Sequence, residues 1–179
     1  MAPALNRSLS DLGALLHLVD PTLPIGGFNH SNGLETFVQQ GVVSTKATLE
    51  EYVQTQLLQN WIYNDGAYLS LAFDAMCEGS FDRLCELDWQ LSATKVARES
   101  REGSFKLGVR LLKIFIRYET HTLLTAYQQA IAEKRVQGYF PIVFAMVAQA
   151  MGLSKADTLY AFYYNAAVGT ITNGVKLIP

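Results

Sequence analysis

The sequence has only two cysteines in 179 residues, Cys77 and Cys85. Two are too few for a disulfide framework. Their spacing, with no histidine nearby, does not form a zinc pattern; two buried thiols on a helix–turn–helix are expected instead. Charge is also scarce: 17% of residues are charged, where about a quarter is usual. The net charge of −2 gives no electrostatic footprint for nucleic acid. The lysines and arginines are scattered, so no polybasic patch addresses a membrane surface. No run alternates strictly between apolar and polar, which argues against a sheet. The longest uncharged stretches, 136–154 and 158–175, are broken by glycine, asparagine, glutamine or threonine, and the first holds Pro141. They suit core helices better than membrane spans. No secretory apolar region opens the chain, so a cytoplasmic location is expected.

Recognisable catalytic apparatus is missing too. Gly26-Gly27 is not followed by Lys-Ser or Lys-Thr, so no phosphate loop is present. There is no Ser-His-Asp order, nucleophile elbow or carboxylate pair. Of the three histidines, His17 reads as structural, and His30 is a single imidazole, a weak metal signal. His121 is placed within a helix.

What is present is an apolar, helical chain. Half of its residues are hydrophobic, and its length suits one domain with a sizeable core. Such a body with few charges implies apolar surface covered by a partner or a second copy. Ser8 or Ser10 can cap a first helix carrying Leu9, Leu12, Leu15, Leu16 and Val19. Thr48-Leu-Glu-Glu51 reads as a capping box, and Asp65 as the cap of the following helix. Gly79-Ser80 separates that helix from one bearing Leu84, Leu87 and Leu91. A long helical stretch around Val96 to Ile116 contains Gly103 and Gly108, which can admit a neighbouring helix closely. Gly138 and Pro141 mark a turn, with Pro141 as a first helical residue. Ser154-Lys-Ala-Asp157 is a second capping box. The expected fold is all-α: one compact domain of about eight helices, with no repeat, low-complexity segment or linker.

One stretch breaks the helical pattern, from Asp20 to Glu35. Pro21 and Pro24 fix their own φ and push the preceding residues toward extended backbone. Gly26-Gly27 permits positive φ or close approach. Asn29 or Ser31 can cap a helix with Leu34, Phe37 and Val38, ended by Gly41. The plain reading is a stiff corner; the sharper one is a surface shaped to dock a partner. The densest polar set is Lys95, Arg98, Glu99, Arg101 and Glu102, where Lys95–Glu99 and Arg98–Glu102 have the spacing of helical ion pairs.

The run Pro21-x-Leu-Pro-Ile-Gly-Gly-Phe-x-His-Ser-x-Gly-Leu-Glu35 resembles the signature of the urease accessory protein UreF family. So do Ala97-Arg-Glu-Ser-Arg101 continuing to Gly108, Phe140-Pro-Ile-Val-Phe144 with Gly152 beyond, and the closing Asn173-Gly-Val-Lys-Leu-Ile-Pro179. The likeness runs from about Leu12 to the end. Relatives differ in often having a histidine just before the Pro141 motif and a glycine shortly after it, where Tyr139-Phe140 and Ala145 stand here. They also continue past Pro179 into a helical tail, which this chain is expected to lack.

The resemblance implies an all-α, commonly dimeric protein with no activity or cofactor of its own. It works with UreD (also called UreH) and the GTPase UreG to deliver nickel to apo-urease. The docking residues it suggests are Pro24, Gly26, Gly27, Phe28, His30, Ser31, Gly33 and Glu35, with Arg98, Glu99 and Arg101 touching a partner or bracing the corner. No residue is assigned to catalysis or metal. An arginine finger from Arg98 or Arg101 acting on UreG is a minor variant. Two other readings compete: a helical enzyme using Glu99 and His121 as an acid–base pair, and a self-associating scaffold without metal relevance.

Overall fold

The computed structural model describes residues 8–27 and 33–178. Among them nine α-helices follow one another: α1 (Leu9–Leu18), α2 (Leu34–Gln39), α3 (Lys46–Thr55), α4 (Asp65–Cys77), α5 (Phe81–Thr94), α6 (Arg98–Phe115), α7 (Thr122–Ala132), α8 (Phe140–Ala150) and α9 (Lys155–Leu177). A π-helical stretch, Gln56–Trp61, prolongs α3. None of the described residues is in a strand, as the missing alternation implies. The count of about eight agrees with this once the six-residue α2 is set aside.

The sequence of α8 decides what lies at the centre. From Pro141 to Ala148 its residues are apolar and every one is buried. A helix apolar all round has no face to give to water. It is therefore covered by α4, α6 and α9, with α1 and α5 adding smaller contacts. The close packing of α6 on α8 depends on Gly108: a Cβ there would overlap the Gly138 carbonyl oxygen and crowd the backbone of Tyr139 and Phe140. A second, smaller core joins Leu34, Val43, Leu49 and Tyr52. It meets the end of α9 where Leu49 packs over Gly174.

One charged side chain lies within the main core. Asp88 on α5 is buried, and its carboxylate accepts hydrogen bonds from the Tyr127 hydroxyl (2.6 Å) and the backbone N–H groups of Gln137 (2.7 Å), Gly138 (2.9 Å) and Tyr139 (3.1 Å). The cost of burying a carboxylate is met by filling its lone pairs with directed donors. These bonds fix the turn that launches α8. The Tyr139 hydroxyl adds a bond to Ser92 Oγ at 3.0 Å.

Several helix starts differ from expectation. Ser8 does cap α1, with Asp11 completing the box, and Ser154 caps α9. For α3 the cap is Thr45, and Thr48 is its partner three residues on; the Thr48-to-Glu51 box lies one turn late because Thr48 already donates back to the Thr45 carbonyl. Asp65 is the first residue of α4, behind Asn64. Pro141 is the second residue of α8. His121 caps α7 rather than lying within a helix: its Nδ1 accepts from the Leu123 N–H at 3.3 Å. The cap of α2 is Gly33 at φ 91°, a left-handed value that starts the helix without a side-chain bond; Asn29 and Ser31 lie outside the described residues. Cys77 is exposed and Cys85 half-buried, so the expected pair of buried thiols is wrong. Cys77 is the last residue of α4, and Cys85, on α5, packs against the main core.

Two substitutions are expected to move stability in opposite directions. Gly108→Ala gains about 1 kcal/mol of helix propensity but loses more to the overlap with Gly138, so its melting temperature falls. At Gly169 an added Cβ meets nothing within 4 Å, so Gly169→Ala gains about 0.5–1 kcal/mol. Thermal unfolding of both variants checks the pair; a stable Gly108→Ala protein would sink the close-approach reading.

Burial, reinforced by the Asp88 carboxylate, pushes the Tyr127 phenol well above its ordinary value. The folded value exceeds the unfolded one of about 10, so the stability this group supplies is complete below about pH 10 and is lost as pH rises further. Melting temperature is expected to fall as pH rises above about 10. Tyr127→Phe should start lower, for want of the bond to Asp88, and decline less steeply. Parallel pH profiles would contradict this.

Candidate functional site

The corner after α1 is held by short, local bonds. Asp20 Oδ1 accepts from both the N–H and the hydroxyl of Thr22, each at 2.7 Å. Those bonds hold the Asp20 carboxyl below the usual carboxylate range. Gly26 adopts φ 82°, and a Cβ there would stand 2.7 Å from Arg110 Nη1. This guanidinium reaches across from α6 to donate to the Ile25 carbonyl at 2.9 Å. The corner thus leans on α6 through a contact 85 residues apart in sequence.

Facing it is the break between α5 and α6. The backbone leaves helical geometry at Lys95, and Ala97, still extended, is the cap position before α6. Arg101 braces the break, donating from Nη1 to the carbonyls of Lys95 (2.9 Å) and Val96 (3.2 Å). Because the helix is interrupted, Lys95 and Glu99 do not share a face. Lys95 turns instead to α4, where its Nζ lies 2.7 Å from Asp65 Oδ1 with its side chain only 10% exposed. Asp65 Oδ1 is itself buried, and the Lys95 ammonium supplies its counter-charge.

Between the corner, the break and α9 lies a cleft of about 570 Å³. Its apolar lining includes Leu23, Ile25, Trp61, Leu107, Phe140 and Phe162, and its charged lining is Asp20, Glu35, Asp65, Glu99 and Lys95. Gly27, Gly33, Glu35 and Glu99 therefore come together on one surface, although Glu35 and Glu99 are far apart in sequence. Pro24 is exposed on the corner outside the lining, and Gly26 faces Arg110. Arg98 is exposed and bonded to Glu102 at 2.7 Å, which raises its pKa. Phe28, His30 and Ser31 lie outside the described residues.

The Glu99/His121 acid–base pair does not form. Glu99 sits in the first turn of α6, whose end at Phe115 is roughly 24 Å away at 1.5 Å rise per residue, and His121 lies beyond that end, at the start of α7. His121 is not part of the cleft lining, and its ring serves as a cap. Among the described residues no group of three or more His, Cys, Asp or Glu could hold a metal, and no helix is long and apolar enough to cross a membrane. Sequence reasoning missed Asp65, Trp61 and Arg110. Only Asp65 left a signal, as a polar residue at a helix start.

Comparison with known proteins decides the family. The UreF family model matches residues 43–179. The chain is 96% identical to the urease accessory protein UreF of Haemophilus influenzae (strain KW20 / Rd), with all of the chain and 76% of that relative aligned. It is 80% identical to the UreF of Actinobacillus pleuropneumoniae serotype 5b over 96% of the chain and 75% of the relative. The UreF of Lachnoclostridium phytofermentans shares 34% identity over 92% and 72%. The chain belongs to the UreF family of urease accessory proteins. This is a family of accessory proteins, not enzymes. The UreF match covers the α5–α6 break and α8, and the H. influenzae and A. pleuropneumoniae alignments extend it across the proline–glycine corner.

The Lys95–Asp65 contact ties the break to α4. Lys95→Met leaves Asp65 partly buried without its counter-charge and is expected to cost about 2 kcal/mol. Urea unfolding measures it. The double variant Lys95→Met/Asp65→Leu should recover part of the loss, and no recovery would show that the two side chains act separately.

Proposed function

We propose that this chain acts in nickel insertion, bridging UreD (UreH) and the GTPase UreG so that nickel is incorporated into apo-urease in the cytoplasm. Nickel is then a cargo of the assembly and not a cofactor of this chain. The observation that carries the reading is the cleft at the proline–glycine corner, where the motif that resembles the family signature and the Arg98–Arg101 segment meet on one exposed surface. Pro24, Gly26, Gly27, Gly33, Glu35 and Glu99 shape or line this docking surface. Phe28, His30 and Ser31 belong to the same motif, and Arg98 and Arg101 flank or brace it.

A homodimer is part of the proposal. Tyr160, Tyr164, Ile171 and Val175 are exposed along α9 at helical spacing, and the Tyr160 and Tyr164 rings stack at 6.2 Å. Such a stripe suits burial against another copy.

The test is to mix the chain with purified UreD and UreG and measure mass by size exclusion with light scattering. A species containing all three proteins is expected. A dimer of this chain that takes up neither partner would favour the self-associating scaffold and end the bridging proposal.

A further inference from the structure

The charge of the cleft is one-sided. It is lined by four carboxylates, Asp20, Glu35, Asp65 and Glu99, and one cation, Lys95. Two of the carboxylates are already engaged: Asp20 accepts from Thr22, and Asp65 faces Lys95. Glu35 and Glu99 are exposed and have no ion pair or hydrogen bond among the described residues. Arg98 and Arg101 do not neutralise them, one being paired with Glu102 and the other turned to backbone carbonyls. The same cleft is lined by aromatic and aliphatic groups, among them the exposed Val96.

We propose that this cleft seats a basic segment of a partner protein, with arginine or lysine side chains against Glu35 and Glu99 and apolar neighbours on the Trp61–Phe140–Phe162 lining. The sign of the charge selects a cationic occupant and turns away nucleic acid. Two free carboxylates suit a guanidinium or an ammonium. The apolar lining favours a long aliphatic stem over a bare ion, and the described residues hold no cluster suited to a metal. The assignment rests on the bridging reading, since it needs a protein partner, and it locates where on the chain that partner presents its charge.

The experiment is calorimetric titration of the chain with UreG and, separately, with UreD, at about 50 and 300 mM salt. The variants are Glu35→Gln/Glu99→Gln, the charge-preserving Glu35→Asp/Glu99→Asp, and Glu102→Gln, which lies on the same helix as Glu99 but outside the cleft. For one partner the glutamine pair is expected to bind about tenfold more weakly at low salt, with a flatter salt dependence. The aspartate pair should keep the salt dependence, and Glu102→Gln should bind normally. Unchanged binding of the glutamine pair to both partners, or an equal loss in Glu102→Gln, would overturn the cleft assignment and leave the bridging reading standing. If the unsubstituted chain binds neither partner, the bridging reading fails and the cleft assignment fails with it.

Discussion

Everything around the cleft depends on the buried Asp88 carboxylate. It gathers three consecutive backbone N–H groups, from Gln137 to Tyr139, and the Tyr127 hydroxyl around one side chain. This fixes where the chain turns from α7 into α8. Removing the carboxylate would leave those buried donors without a partner, a penalty larger than the net worth of the bonds themselves. The same turn places the Gly138 carbonyl against Gly108 and the Phe140 N–H toward Ser104 Oγ at 3.4 Å. Leu107, Ser104 and Phe140 all line the cleft. A polar knot in the core thus sets part of the floor of a surface feature.

The general form of the fold was legible because it follows from local rules. Hydrophobic period, serine caps and glycine stops located most of the helices, and the all-apolar run after Pro141 became the central helix. Errors arose where one residue type serves two roles. Thr48 looks like a cap but completes the cap made by Thr45. Ala97 caps α6 without a side-chain bond, so the break before it carries only the weak signal of Ser92-Ala-Thr94, and the Lys95–Glu99 spacing misled. Asp88 carried a readable clue: it stands four residues after Leu84 and three before Leu91, on the face that those leucines bury. A charge on an apolar face implies a buried network, although the sequence does not name its donors.

The proposed docking surface was half legible. Glycines and prolines in fixed order marked the corner, because few other residues adopt its backbone. The rest of the lining was beyond reach, since nothing local relates Glu99 to Glu35, Trp61 to Phe162, or Arg110 to Ile25. Such pairings follow from how helices stack around α8, and periodicity does not report stacking order. The Arg110–Ile25 bond illustrates the difference: the sequence shows a charged residue on an amphipathic helix, and only the fold shows the carbonyl it reaches.

The two walls belong to different packing units. Glu35 projects from α2, whose Leu34 is buried in the small core with Val43, Leu49 and Tyr52. Glu99 lies in the first turn of α6, whose Leu111, Leu112 and Phe115 are in the main core. The two cores meet mainly through α9, which contacts α2 and α3 as well as α4 and α8. The width of the cleft is therefore set by how the smaller core sits on α9, including the fit of Leu49 over Gly174. A small core buries little apolar surface and opens at lower free energy than the main one. Any occupant that contacts both walls adds contacts across that junction and stabilises the bound arrangement by mass action. By this reasoning, changes at the Leu49–Gly174 contact act on the cleft from a distance, through the position of α2, while leaving its chemistry intact.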